Sequence, residues 1–122
     1  RSTWISEGCY EPVAQVLFGS VKVDAFFLEY DNDRSGDFAP LRFVRPGHQQ
    51  VVLGLITIKN GELENPELIQ QRINEAAQYV DISQICLSPQ CGFASTEEGN
   101  SLTPEQQWEK VRLVTELADK VW

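Results

Sequence analysis

Three residues stand where short apolar runs end, and each carries a different chemistry: Glu29 after Ala25-Phe26-Phe27-Leu28, Lys59 after Val51-to-Ile58, and Cys91 shortly after Gln84-Ile85-Cys86-Leu87-Ser88. A carboxylate closing so apolar a run is costly to bury unless a cation balances it, and a metal ion would do so. Glu29 could equally reach solvent or pair with an arginine such as Arg34. Cys91 follows a proline and precedes Gly92, which is turn chemistry at a strand end, where a thiolate could bind a borderline metal. No C-x-x-C or H-x-x-x-H accompanies it, so spacing alone leaves its role open. Lys59 could act as a general acid or anchor an anion, yet beside Asn60-Gly61 it also reads as a solvated turn residue. Cys86, inside its run, reads as a core thiol; Cys9 is a loop thiol of no assigned role, and His48 after Pro46-Gly47 a solvated loop residue.

Something must bring these groups together. The runs Val21-to-Tyr30, Val51-to-Ile58 and Ile85-to-Ser88 are short and rich in β-branched or aromatic residues, as expected for strands buried on both faces. Helical patterns alternate with them. Asn65-Pro66 reads as an N-cap and first helical residue, followed by Leu68, Ile69, Ile73, Ala76, Ala77 and Val80 at helical spacing. Thr103, Pro104 and Gln106 give a capping-box start, after which Trp108, Val111, Val114, Ala118 and Val121 form an apolar stripe. A shorter helix is expected over Glu11 to Phe18. This order calls for an α/β fold with parallel strands and right-handed crossovers, which places chemistry at the carboxyl ends of the strands. Three strands leave two edges open, so the pattern resembles a slice of a larger sheet or of an eight-stranded barrel.

Composition narrows the function classes. The 122 residues are 42% hydrophobic and 23% charged, ordinary for one globular unit. A net charge of −8 repels a phosphate backbone, and no stretch concentrates Lys and Arg with aromatics, so no nucleic-acid partner is expected. No run of about 18 or more apolar residues and no secretory pattern occurs, which predicts no membrane association and a cytoplasmic setting. Cys9, Cys86 and Cys91 are not spaced as a disulfide framework and are expected to be reduced. The absence of Met and the start at Arg1 raise the expectation of a fragment.

The segments Phe26-Phe27-Leu28-Glu29-Tyr30-Asp31, Arg34-Ser35-Gly36-Asp37-Phe38 and Ser88-Pro89-Gln90-Cys91-Gly92-Phe93 closely resemble the cobalamin-independent methionine synthase family, especially its short single-barrel relatives. The resemblance implies a partial (βα)8 TIM barrel, with residues 1–122 as its C-terminal portion bearing the last three parallel strands. It implies a catalytic zinc held by a His and a Cys on one strand end, a Glu on the next and a Cys on the last. Glu29 would then be the carboxylate ligand and Cys91 the final thiolate. The paired His and Cys should lie upstream of Arg1, and no His-x-Cys occurs here, so the zinc (Zn2+) shell is expected to be incomplete.

The resemblance further implies a zinc-dependent S-methyltransferase that takes a methyl group from 5-methyltetrahydrofolate, carrying a polyglutamate tail, and gives it to homocysteine to form methionine. Arg34, Arg42 and Arg45 could attract that tail on charge alone. Lys59 stands where the two-barrel members of the family have a proton-donating His, a departure that leaves a different methyl donor or acceptor as the alternative. The fragment alone is expected to be inactive. The rival reading is a non-catalytic α/β module, a truncated barrel piece forming a homo-oligomer through its open sheet edges. Another barrel family, uroporphyrinogen decarboxylase, lacks the zinc thiolate and fits Cys91 poorly.

Overall fold

The apolar runs become strands β1 (Ala25–Glu29), β2 (Gln50–Ile56) and β3 (Ile85–Pro89) in a computed structural model that describes residues 10–30, 36–93 and 99–122. They form one open parallel sheet in the order β1-β2-β3, the α/β arrangement expected. Central β2 is buried from Val51 through Ile56, which explains its unbroken apolar run. β1 is shorter than its apolar run. The carbonyls of Val21 and Val23 are taken by the Gln49 side-chain amide, at 3.2 and 2.8 Å, so this stretch is tied down by a side chain.

Register sorts the side chains onto two faces. Phe26, Val51 and Ile85 pair across the sheet, as do Leu28, Leu53 and Leu87, and these rows belong to the apolar core or pack against it. Phe18 of helix α1 (Ala14–Ser20) meets Phe26 edge-on, with ring centroids 5.0 Å apart. The opposite face carries Phe27, Val52 and Cys86 in one row and Glu29, Gly54 and Ser88 in the next. It is largely uncovered at β1, where Phe27 is 76% exposed. Cys86, expected in the core, is half-buried on this open face.

The helix starts follow local chemistry. Asn65 Oδ1 accepts from the Glu67 amide at 2.9 Å and Pro66 opens α2 (Pro66–Ala76). Thr103 and Gln106 complete a capping box at the start of α3 (Pro104–Val121). The expected short helix over Glu11 to Phe18 is a 3-10 turn, Glu11–Val13, running into α1. The long connection from β1 to β2 holds a second 3-10 turn, Ala39–Phe43, which buries Pro40 and Leu41 and is pinned when Arg42 grips the Glu11 carboxylate. That hydrogen-bonded pairing holds the Glu11 carboxyl below its ordinary range and raises the Arg42 guanidinium.

The apolar stripes need correction. In α2, Ile69, Ile73 and Ala76 point inward, whereas Leu68 faces out. In α3, Val114 and Val121 pack against the core as expected, but the buried line is Lys110, Leu113 and Leu117, while Trp108 is 69% exposed and Val111 also faces solvent. A lysine therefore fills a position that periodicity reserves for an apolar residue. Its stem packs in the interior while its ammonium meets both Glu64 carboxylate oxygens at 3.2 Å and the Glu62 carbonyl at 2.5 Å. Glu64 also accepts from the Thr57 amide at 2.7 Å, so this pair fixes the chain leaving β2.

Removing one partner of a buried ion pair leaves the other uncompensated, typically at a cost of 3 to 5 kcal/mol. Lys110→Ala is accordingly expected to lower unfolding free energy by roughly 3 kcal/mol in urea denaturation. A change below about 1 kcal/mol would show that Glu64 is solvated without its partner.

Candidate functional site

Glu29 is the last residue of β1 and Cys91 lies two residues beyond β3, with β2 between the two strands. They nevertheless touch, the Cys91 thiol donating to Glu29 Oε1 at 2.7 Å. What permits this is Gly54 of β2, which pairs with Glu29 on one side and Ser88 on the other. A Cβ there would sit 3.1 Å from the Leu28 carbonyl oxygen and 3.2 Å from Gln90 Cα. With no side chain in the way, the chain leaving β3 settles against the end of the sheet. A register irregularity between Gly54 and Ile56 helps turn it, and the Gln90 amide donates to the Ile56 carbonyl at 3.1 Å.

Lys59 joins from β2. Its ammonium donates to Gln90 Oε1 at 3.3 Å, while Gln90 Nε2 donates to Glu29 Oε2 at 2.7 Å. The lysine is half-buried rather than a freely solvated turn residue, because its loop is held from several sides. Its own amide donates to Thr57 Oγ1 at 3.3 Å, Ser101 Oγ donates to its carbonyl at 3.4 Å, and Asn60 Oδ1 takes the Glu62 amide at 3.1 Å. Glu29 is also steadied through its backbone, whose N–H donates to the Tyr10 hydroxyl at 3.0 Å.

The structure thus gathers Glu29, Lys59 and Cys91 on one rim. It adds Gln90 and Gly54, which the motif reading passed over. A glycine isolated in an apolar strand signals close approach of another backbone, so Gly54 was findable. Gln90 gave no signal beyond adjacency to Cys91. The other candidates go elsewhere: Arg45 and His48 line a cavity with Lys22 and Asp24, residues preceding β2 and β1 at the opposite end of the strands, and Arg42 is committed to Glu11. Cys9, Asp31 and Arg34 lie outside the described residues.

Could this cluster hold zinc? Thiolate and carboxylate are suitable donors, and Zn–S near 2.3 Å with Zn–O near 2.1 Å puts the two donor atoms roughly 3.6 Å apart in a tetrahedron. Sγ and Oε1 share a proton at 2.7 Å here, so exchanging that proton for a metal requires them to part by about 0.9 Å. Cys91 is exposed, and among the described residues nothing lies within 4 Å of a Cβ built on Gly92, which sits at φ 90°. Among the described residues no group of three or more His, Cys, Asp or Glu side chains converges. The donors fit in kind and supply half of a four-coordinate shell.

No family profile matches the chain. It is 61% identical over all 122 residues to the uncharacterized protein YxjH of Bacillus subtilis, of which it covers 32%. Over 76 residues, 62% of the chain, it is 28% identical to a methionine synthase of Thermococcus kodakarensis, covering 22% of that protein. It superposes with a TM-score of 0.76 on the crystal structure of a Listeria monocytogenes protein provisionally described as a vitamin-B12 independent methionine synthase, at 49% identity, covering 94% of this chain and 32% of that one. The chain therefore spans about a third of the length of these two closer relatives. Its fold is related to that of methionine synthases, and its open parallel sheet matches part of a barrel.

Packing at Gly54 is where the site is most exposed to a small change. Gly54→Ala sets a methyl against two backbone segments that are themselves hydrogen-bonded, and such overpacking typically costs 1 to 3 kcal/mol. The expected result is a loss of about 2 kcal/mol in thermal or urea unfolding. Unchanged stability would mean that the end of β3 does not pack on β2 as described.

Proposed function

We propose that this chain, a relative of the cobalamin-independent methionine synthases in sequence and fold, is the C-terminal portion of a catalytic barrel and supplies the carboxylate and final thiolate of its zinc site. The activity is cytoplasmic S-methyl transfer from 5-methyltetrahydrofolate, with its polyglutamate tail, to homocysteine, giving methionine. The observation that carries the reading is the contact of Glu29 with Cys91 at 2.7 Å across an intervening strand, on the carboxyl rim of a parallel sheet. Parallel α/β barrels place their chemistry on that rim.

Zinc, when bound, supplies positive charge that favours the deprotonated form of a nearby substrate thiol. The chain's own residues do the rest. Glu29 and Cys91 offer one oxygen and one sulfur donor, and a cation held between them would take the place of the proton that their contact now shares. As the substrate sulfur forms its bond to the methyl carbon, the bond from that carbon to the folate nitrogen breaks, and the nitrogen leaves more easily if it gains a proton. Lys59 is the residue assigned to hold that proton: its ammonium is half-buried on the rim, one amide away from Glu29.

A second reading rests on the open sheet face. Phe27 at 76% exposure, and outer strands β1 and β3 that each pair with one strand among the described residues, suit a non-catalytic module that covers itself by self-association. Assay of methyl transfer separates the two. The protein at its natural length is expected to form methionine from homocysteine and 5-methyltetrahydrofolate, and the 122-residue chain alone to form none. General acid catalysis is typically worth 10²- to 10⁴-fold, so Lys59→Met should slow turnover by roughly 100-fold or more. Methionine formation by the isolated chain, or full turnover in the Lys59 variant, contradicts the assignment; inactivity at natural length together with self-association of the chain favours the second reading.

A further inference from the structure

Gln90 occupies a position whose neighbours call for an amide. Its Nε2 donates to Glu29 Oε2 at 2.7 Å and its Oε1 accepts from the Lys59 ammonium at 3.3 Å. A carboxylate here would set two negative groups against each other, a cation would oppose Lys59, and an apolar side chain would answer neither. The charges also fix which way round the amide lies, since exchanging its ends would face oxygen to carboxylate and NH2 to ammonium. Its main chain is equally constrained, by the bond to the Ile56 carbonyl and by the close approach over Gly54.

From this geometry we infer that Gln90 is a positioning residue for the metal site. By engaging Oε2 it leaves Oε1 as the carboxylate oxygen turned toward Cys91 Sγ, so that Glu29 is presented as a one-oxygen donor. Through its own carbonyl it also ties Lys59 to the same carboxylate. The inference rests on the zinc reading above and adds to it a residue that touches neither substrate nor metal. Groups that hydrogen-bond a metal's ligands orient them, and their loss typically lowers metal affinity by roughly 10- to 100-fold. A Glu29 released at Oε2 can swing to offer both oxygens, which raises the coordination number.

Cobalt(II) reads out both effects without any assay of activity, because four-coordinate cobalt absorbs visible light far more strongly than five- or six-coordinate cobalt. In the protein at its natural length, the parent is expected to bind cobalt with intense visible bands. Q90M is expected to bind it roughly 10- to 100-fold more weakly and with diminished bands. Q90A, which removes the amide without adding a charge or a metal donor, should do the same, and it carries the comparison if Q90M fails to fold by circular dichroism. Affinity and spectrum unchanged in a folded variant would overturn this inference and leave the zinc reading standing. A parent that binds no cobalt would overturn both.

Discussion

The bare backbone of Gly54 is the constraint on which the site depends. In a parallel sheet ordered β1-β2-β3, the carboxyl ends of the outer strands are separated by the full width of the middle one. A side chain at the central position would keep the continuation of β3 away from β1. With hydrogen in place of a methyl, Gln90 packs its Cα into the vacant space, and its neighbour Cys91 is carried within 2.7 Å of Glu29. The sheet's packing rule, the turn after β3 and the meeting of a thiol with a carboxylate are one structural fact seen at three scales.

Around that junction the fold works as a set of buttresses. The buried Lys110 of α3 holds Glu64, Glu64 holds the Thr57 amide, and so the helix farthest along the chain fixes the loop that carries Lys59. The Tyr10 hydroxyl takes the Glu29 amide, and the Tyr10 ring packs at a tilt against Tyr30 with centroids 5.2 Å apart, so β1 is secured on the side away from β2. At the other end of α3, Trp122 Nε1 donates to the Ile82 carbonyl at 3.1 Å, just before β3 begins. Asp81 steadies that same entry by accepting from the Ser83 hydroxyl and amide, which holds its carboxyl below the usual range. The Lys110, Tyr10 and Trp122 contacts each join the approach or exit of a strand to an element distant in sequence, and the Asp81 turn adds a local hold.

Much of this was legible in the residues. Strand ends deliver chemistry in parallel α/β folds, so Glu29, Lys59 and Cys91 could be named from the positions of apolar runs alone. Asn65 and Thr103 announced their helices because cap chemistry is local and depends on little else. The stripe on α3 holds at Val114 and Val121 and fails at Trp108 and Val111 for the opposite reason: the inward place of Lys110 is decided by Glu64, 46 positions away, and periodicity cannot see a partner. Gln90 escaped notice likewise, because a glutamine gains meaning only when a carboxylate and an ammonium flank it in space. Cys86 had the composition of a core residue, yet its face of the sheet is open across β1.

On the proposed reading the two donors gathered here would make half of a tetrahedral shell, in a chain that spans about a third of the length of its longer relatives. The central claim is therefore that Cys91 and Glu29 are ligands of one zinc ion whose remaining donors lie elsewhere in the protein. Elemental analysis of the natural-length protein beside its Cys91→Ser variant tests this most directly. The account predicts one zinc per chain in the parent and its loss in the variant; zinc retained without the Cys91 thiol, or a parent purified without zinc that takes up none when supplied, would contradict it.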